Sequence, residues 1–132
     1  MPYFDPGYFT KKPIKSRKIV KRSVRNKFYA WQLSKEYYDG DRNNGYGGFK
    51  YDGRWQKILP KIIKKYKLKN NAKILDLGCK KGFIMKDFKI LLPNAEVWGI
   101  EDHIYPIRNS EKEIKSKIIK SKYYEIPFND NY

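Results

Sequence analysis

One cysteine, one histidine and two methionines are all that this 132-residue sequence offers of the soft or imidazole side chains. A single Cys79 excludes an internal disulfide and any metal site built on several cysteines. With His103 as the only histidine, no Ser-His or Cys-His pair exists without it, and a surface or ligand-side place suits it better than catalysis. No apolar run reaches transmembrane length, and the first residues, Met1-Pro2-Tyr3-Phe4-Asp5-Pro6-Gly7, lack the long apolar stretch of a signal peptide. The expectation is a cytoplasmic protein with no membrane contact. Acidic residues are also scarce: 14 stand against 30 lysines and arginines, for a formal charge of +16. Between Pro6 and Lys35 there are none at all.

That imbalance admits two readings. A basic chain gains counterion-release energy on a phosphate backbone, and the dense stretch 11–27 would be the contact. The other reading is compositional, because lysine, isoleucine, asparagine and tyrosine are all abundant, as AT-rich codons produce. Lysine predominates over arginine, although arginine is the residue suited to bidentate phosphate and base recognition. A solvated arm is the ordinary state of such a block.

The chain divides into three zones. Residues 1–35 form the basic arm, partly helical, with Ile19, Val20, Val24, Phe28, Trp31 and Leu33 giving a loose helical pattern from about Lys18. Residues 36–55 are rich in glycine, asparagine and tyrosine. Their glycines suit tight or left-handed turns, and their aromatics exceed what a flexible linker needs. This zone is either a structured loop covering something or a surface loop whose tyrosines fill the edge of a core.

Residues 56–132 alternate helix and strand. Trp55, Ile58, Leu59, Ile62, Ile63 and Tyr66 are spaced as one face of a helix, in which Pro60 marks a kink or the true start. Lys73 to Leu77 reads as a buried strand. Phe83, Ile84, Phe88, Leu91 and Leu92 mark a helix, and Glu96 to Ile100 a second strand. Ile107, Ile114 and Ile118 suggest another helix starting near Asn109 or Ser110, and a weak third strand falls within Ile118 to Tyr123. The alternation implies an α/β fold with a parallel sheet.

The chemistry concentrates at Ile74-Leu75-Asp76-Leu77-Gly78-Cys79-Lys80-Lys81-Gly82. An apolar strand ends in an acid, a glycine-punctuated loop follows, and a helix begins. Gly78 and Gly82 let the backbone approach a ligand and turn amide hydrogens toward it. Glu101 closes the next strand about 20 residues on, the offset at which a carboxylate accepts both hydroxyls of a ribose. The alternative is a ligand-free turn with a surface glutamate. Cys79 fits the loop as a small side chain, and a helix N-terminus beside it would lower its pKa.

At these residues the chain resembles the class I S-adenosylmethionine-dependent methyltransferases. Asp76, Gly78 and Gly82 match the family's acidic residue and Gly-x-Gly-x-Gly loop, with Lys80 where the middle glycine belongs, and Glu101 matches its acid at the end of strand two. Asn129, after Ile126-Pro127-Phe128, resembles the lead into strand four. Upstream, Tyr38-Asp39-Gly40-Asp41-Arg42, Gly45-Tyr46-Gly47-Gly48-Phe49 and Tyr51-Asp52-Gly53-Arg54-Trp55 resemble the preface of a bacterial-type subgroup associated with saccharide or small-metabolite modification. The resemblance implies a Rossmann-like fold, of which this chain would supply the N-terminal part: about three parallel strands with flanking helices, of roughly seven.

The resemblance further implies S-adenosylmethionine as cofactor and an unknown methyl acceptor. The loop from Asp76 to Gly82, Cys79 and Lys80 included, would hold the methionine end and Glu101 the ribose. Asp102 and His103 would lie beside the adenine, and Tyr46, Tyr51 and Arg54 would form part of a lid. Residues near Lys122 and Tyr123 match a region that often contacts the adenine, but the usual acid is missing there. Lys80 would point to solvent, meet the cofactor carboxylate, or crowd the cationic sulfonium, and weakened binding is the favoured expectation. The first strand would be an exposed edge, so a truncated chain is expected, or less readily an enzyme completed by a partner chain. The rival function is an inactive remnant or a basic module for RNA or an acidic partner.

Overall fold

In the computed structural model, residues 21–130 are described; Ile19, Val20 and the first part of the basic stretch 11–27 lie outside them. The chain divides into two compact units, residues 1–52 and residues 53–132.

In the first unit, helix α1 spans Val24–Gln32. It begins where its chemistry allows. The Ser23 hydroxyl accepts from the Asn26 amide, and the Asn26 side chain accepts from the Ser23 amide, which satisfies amides a helix start leaves open. It ends at Leu33 in the left-handed conformation. The one-turn helix α2, Lys35–Tyr38, follows. Tyr38 is fully buried, stacked on Tyr46 with centroids 5.8 Å apart, edge-on to Tyr37 and tilted against Phe49. The tyrosines of the glycine-rich stretch thus build a small aromatic core of their own. Gly47 at φ +68° turns the chain where a side chain would strike Arg42.

The second unit opens with a 3₁₀ turn, Arg54–Lys57, and helix α3, Leu59–Tyr66. Pro60 stands in the first turn, so the helix starts there and does not kink. Its far end closes on Lys67 in the left-handed conformation, with the Leu68 amide reaching back to the Ile63 carbonyl. Lys64 and Lys65 in the last turn complement the helix dipole. Strand β1 is Lys73–Leu77, helix α4 is Phe83–Leu91, strand β2 is Glu96–Glu101, and the short helix α5 is Ile104–Arg108. A 3₁₀ turn, Lys115–Lys117, precedes strand β3, Ile118–Lys120.

The three strands pair in parallel in the order β1-β2-β3, with Asp76 beside Gly99 and Glu101 beside Lys120. This is the α/β layering and the parallel sheet with flanking helices that the alternation implies. The core lies between one sheet face and α3 and α4: Leu59, Cys79, Met85, Phe88, Leu92, Ala95, Val97 and Ile114, with Trp55, Ile62, Ile63, Ile74 and Ile118 around them. Each large apolar side chain fully buried there contributes about 2 kcal/mol. Gly99 is needed for the fit, because a Cβ would press to 2.5 Å from the Met85 sulfur.

Two sequence expectations need correction. The strand Lys73 to Leu77, read as buried, is instead the exposed sheet edge that the partial fold implies, and Leu75 and Leu77 are 38% and 51% exposed. The helix expected through Ile107, Ile114 and Ile118 does not form. Instead α5 ends at Asn109, with the Ser110 hydroxyl donating to the Ile107 carbonyl. The chain then turns so that the Glu111 amide donates to the Lys81 carbonyl, while the Lys86 ammonium holds the Glu111 carboxylate at 2.6 Å. Ile114 is buried as a turn residue, lying over Gly82. Tertiary partners outside the segment claim the groups a helix would have paired.

Candidate functional site at the strand ends

The parallel register brings Asp76, Gly78, Cys79, Lys80, Gly82, Glu101, Asp102 and His103 to the carboxyl ends of β1 and β2, the side of an open α/β sheet where ligands bind. Only the loop from Gly78 to Gly82 separates the end of β1 from α4. Gly78 and Gly82 take φ of +77° and +76°, as such a tight loop requires, and Lys80 takes +54°, a left-handed conformation that a side chain makes costly.

The loop is tied down from within. The Gly78 and Cys79 amides both donate to the Ile100 carbonyl, at 2.8 and 3.1 Å, and the Gly82 amide donates to the Cys79 carbonyl at 2.8 Å. The Lys80 amide donates to Glu101 Oε2 at 3.0 Å. The expectation that the glycine loop turns its amide hydrogens toward a ligand is therefore corrected for these four: they hold the loop in place and against β2.

Glu101 is the centre of the site. It is fully buried, and its carboxylate accepts from two backbone amides, Lys80 to Oε2 and His103 to Oε1, both at 3.0 Å. Two side chains complete its shell. The Tyr123 hydroxyl donates to Oε1 at 3.1 Å, and the Lys80 ammonium lies 3.3 Å from Oε2. The ammonium also donates to the Tyr123 oxygen at 3.1 Å, which closes a triangle. Burial alone would pull the Lys80 pKa down, but the Tyr123 hydroxyl and the Glu101 carboxylate outweigh it and leave it raised. Lys80 thus neither points to solvent nor stands clear of the site; it caps the very carboxylate that the resemblance gives to a ribose.

Asp76 is the opposite case. Its Oδ2 is buried and accepts no hydrogen bond. Burial, and then the nearby Glu101 charge, push its pKa up to about 6 against the opposing pull of Lys80. Cys79, 6% exposed, behaves contrary to the helix-terminus argument. Burial first, then the charges of Asp76 and Glu101, push its thiol up to about 12, so it is a packing residue and no nucleophile.

His103 contributes its backbone amide and stands at the N-cap position of α5 without a side-chain capping bond, and Asp102 lies between it and Glu101. Arg54 opens the 3₁₀ turn of the second unit, whereas Tyr46 belongs to the aromatic core of the first. Tyr123 is the residue that sequence reasoning undervalues. Its segment resembles one that contacts adenine, but its hydroxyl goes to Glu101. A turn after β3, closed by the Glu125 amide on the Lys122 carbonyl and anchored by the Ser121 amide on the Glu101 carbonyl, puts it there.

The structure is similar to that of a SAM-dependent methyltransferase from Aquifex aeolicus, at 21% sequence identity and a TM-score of 0.45. The match covers 62% of this chain and 53% of that one. No protein-family model matches the sequence, and no curated protein matches it. So distant a likeness assigns no residue a role, and the reading of the site rests on its own geometry. Among the described residues, no helix is long and apolar enough to cross a membrane.

Proposed function

We propose that the strand-end crevice of residues 53–132 receives the nucleoside of S-adenosylmethionine and that the protein is the cofactor-binding part of a methyltransferase. The observation that carries this is Glu101. A carboxylate at the end of the second parallel strand, fully buried and aimed by two backbone amides, is an acceptor fixed in advance for a pair of hydroxyl donors. The loop Asp76 to Gly82 would face the methionine end, and Asp102 and His103 the adenine. Bound there, S-adenosylmethionine supplies an electrophilic methyl group on a sulfonium. The protein's own contribution is to hold and orient it beside an acceptor, which we place among small metabolites or saccharides. Among the described residues β1 is a sheet edge, which fits completion of the sheet by further strands.

Calorimetric titration of the purified chain with S-adenosylmethionine and S-adenosylhomocysteine tests the proposal. Saturable binding abolished by Glu101→Ala is expected. A folded chain that binds neither, or binds both equally well after the substitution, overturns it.

The second reading, a basic module for RNA or an acidic protein through residues 11–27, draws on the acid-free stretch from Pro6 to Lys35. It expects RNA binding with a steep salt dependence that deletion of 11–27 removes.

A further inference from the structure

Glu101 already holds as many donors as a carboxylate comfortably accepts, and those donors fall into two kinds. The Lys80 and His103 amides are backbone, fixed by the loop and by the start of α5. The Tyr123 hydroxyl and the Lys80 ammonium are the ends of side chains that reach in from different segments. Fixed amides aim the carboxylate; movable ends occupy it.

Both movable ends can leave for solvent while each Glu101 oxygen keeps a backbone amide. The Lys80 side chain is 26% exposed and Tyr123 is 39% exposed, so each moves into water without burying an unpartnered group. Glu101, at 0% exposure, cannot follow them. An incoming vicinal diol presents two O–H donors to one carboxylate, the same number that the two side chains withdraw. The exchange is donor for donor, and it leaves the two amide bonds untouched.

We propose that Lys80 and Tyr123 form a latch that occupies the diol-binding face of Glu101 and must open before a nucleoside with a free 2′,3′-diol can bind. The inference rests on the nucleoside reading of the site and adds a gate to it. The latch explains a costly choice in the loop. Lys80 holds a left-handed backbone conformation, where glycine sits without penalty. From that position the Lys80 ammonium reaches both Glu101 and Tyr123. The latch also makes the site selective. A 2′-deoxynucleoside replaces one donor of two, and so leaves the carboxylate short by one bond.

The latch lowers apparent affinity by the fraction of time the site stands open, so a site closed nine-tenths of the time binds about tenfold more weakly than an open one. The test measures adenosine and S-adenosylhomocysteine binding to the wild-type chain, Lys80→Gly, Tyr123→Phe and the double variant Lys80→Gly with Glu101→Ala. In parallel, limiting acetic anhydride labels lysines in the wild-type chain and Tyr123→Phe, with and without adenosine, and mass spectrometry reads Lys80.

The expected result is about tenfold tighter binding by Lys80→Gly, a smaller gain in Tyr123→Phe, and no binding by the double variant. Adenosine is expected to raise Lys80 labelling, because it frees the ammonium, and Tyr123→Phe to raise it without ligand. Equal affinity of wild type and Lys80→Gly, with Glu101 still required, overturns the latch and leaves the nucleoside site standing. Protection of Lys80 by adenosine likewise overturns the latch, since the ammonium would then be holding the ligand. Absence of binding by folded wild type and Lys80→Gly alike overturns the site and the gate together.

Discussion

Strands β1 and β2 lie side by side and each ends near a carboxylate, yet the two acids live in opposite conditions. Glu101 is completely buried and completely partnered, by two amides, a phenol and an ammonium. Asp76 has a buried oxygen with no donor at all. The difference follows from position in the sheet. β2 has a strand on each side, so loops from both neighbours converge on its end. β1 is an edge, and the loop that leaves it bends toward β2 and takes its donors along. The carboxylate at the central strand is thus fully partnered, and the one at the edge strand is a burden that burial imposes on the fold.

The sharpest way to break that contrast is Glu101→Ala. It strands the Lys80 and His103 amides and leaves the Lys80 ammonium without its carboxylate. Removing one member of such a buried network costs about 4 kcal/mol, and chemical denaturation should show a loss of that order. A much smaller loss, below about 1 kcal/mol, would mean that the shell around Glu101 contributes no more than an exposed ion pair does.

Asp76→Asn should act the other way. The folded pKa of Asp76, about 6, lies above its ordinary 3.8, so the folded state prefers the protonated acid. Below that ordinary value the group costs nothing. As pH rises through about 6 it loses its proton in a place that disfavours the charge, and a penalty of about 3 kcal/mol is fully present at neutral pH. The asparagine variant should therefore gain stability over wild type between about pH 4 and 7, with the gap widening as pH rises. Parallel stability curves for the two proteins across that range would refute the assignment.

The smallest effect on stability belongs to Lys80→Gly. It releases the strain of a left-handed lysine but takes the counterion from the buried Glu101, which keeps two amides and the Tyr123 hydroxyl, so the net loss should be about 2 kcal/mol, below that of Glu101→Ala. A gain in ligand affinity beside a loss of stability would separate the role of Lys80 at the site from its role in the fold.

Much of the second unit is legible in its residues alone. Strand β1 announces itself through the apolar run Ile74-Leu75 closed by Asp76. Helix α3 shows its face through Ile58, Leu59, Ile62 and Ile63, with Pro60 in its first turn. The offset from Gly82 to Glu101 puts a carboxylate at the next strand end, where it is found. These are signals of local conformation: backbone geometry at glycine and proline, and the spacing of apolar side chains, act over a few residues and survive in the sequence.

The remaining features arise from contacts between segments far apart in the chain. Tyr123 meets Lys80 across 43 residues of sequence and Glu101 across 22, and no local pattern encodes that meeting. Ile114 has helical spacing but serves in a turn, because Lys81 and Lys86 engage Glu111 from another part of the chain. Cys79 has every local reason for an acidic thiol, and burial beside two carboxylates reverses the sign. The order of residues settles what each short segment prefers. Which donor reaches which buried charge is set only when the segments pack, since the field at a buried atom is the sum of neighbours that the chain brings from far away.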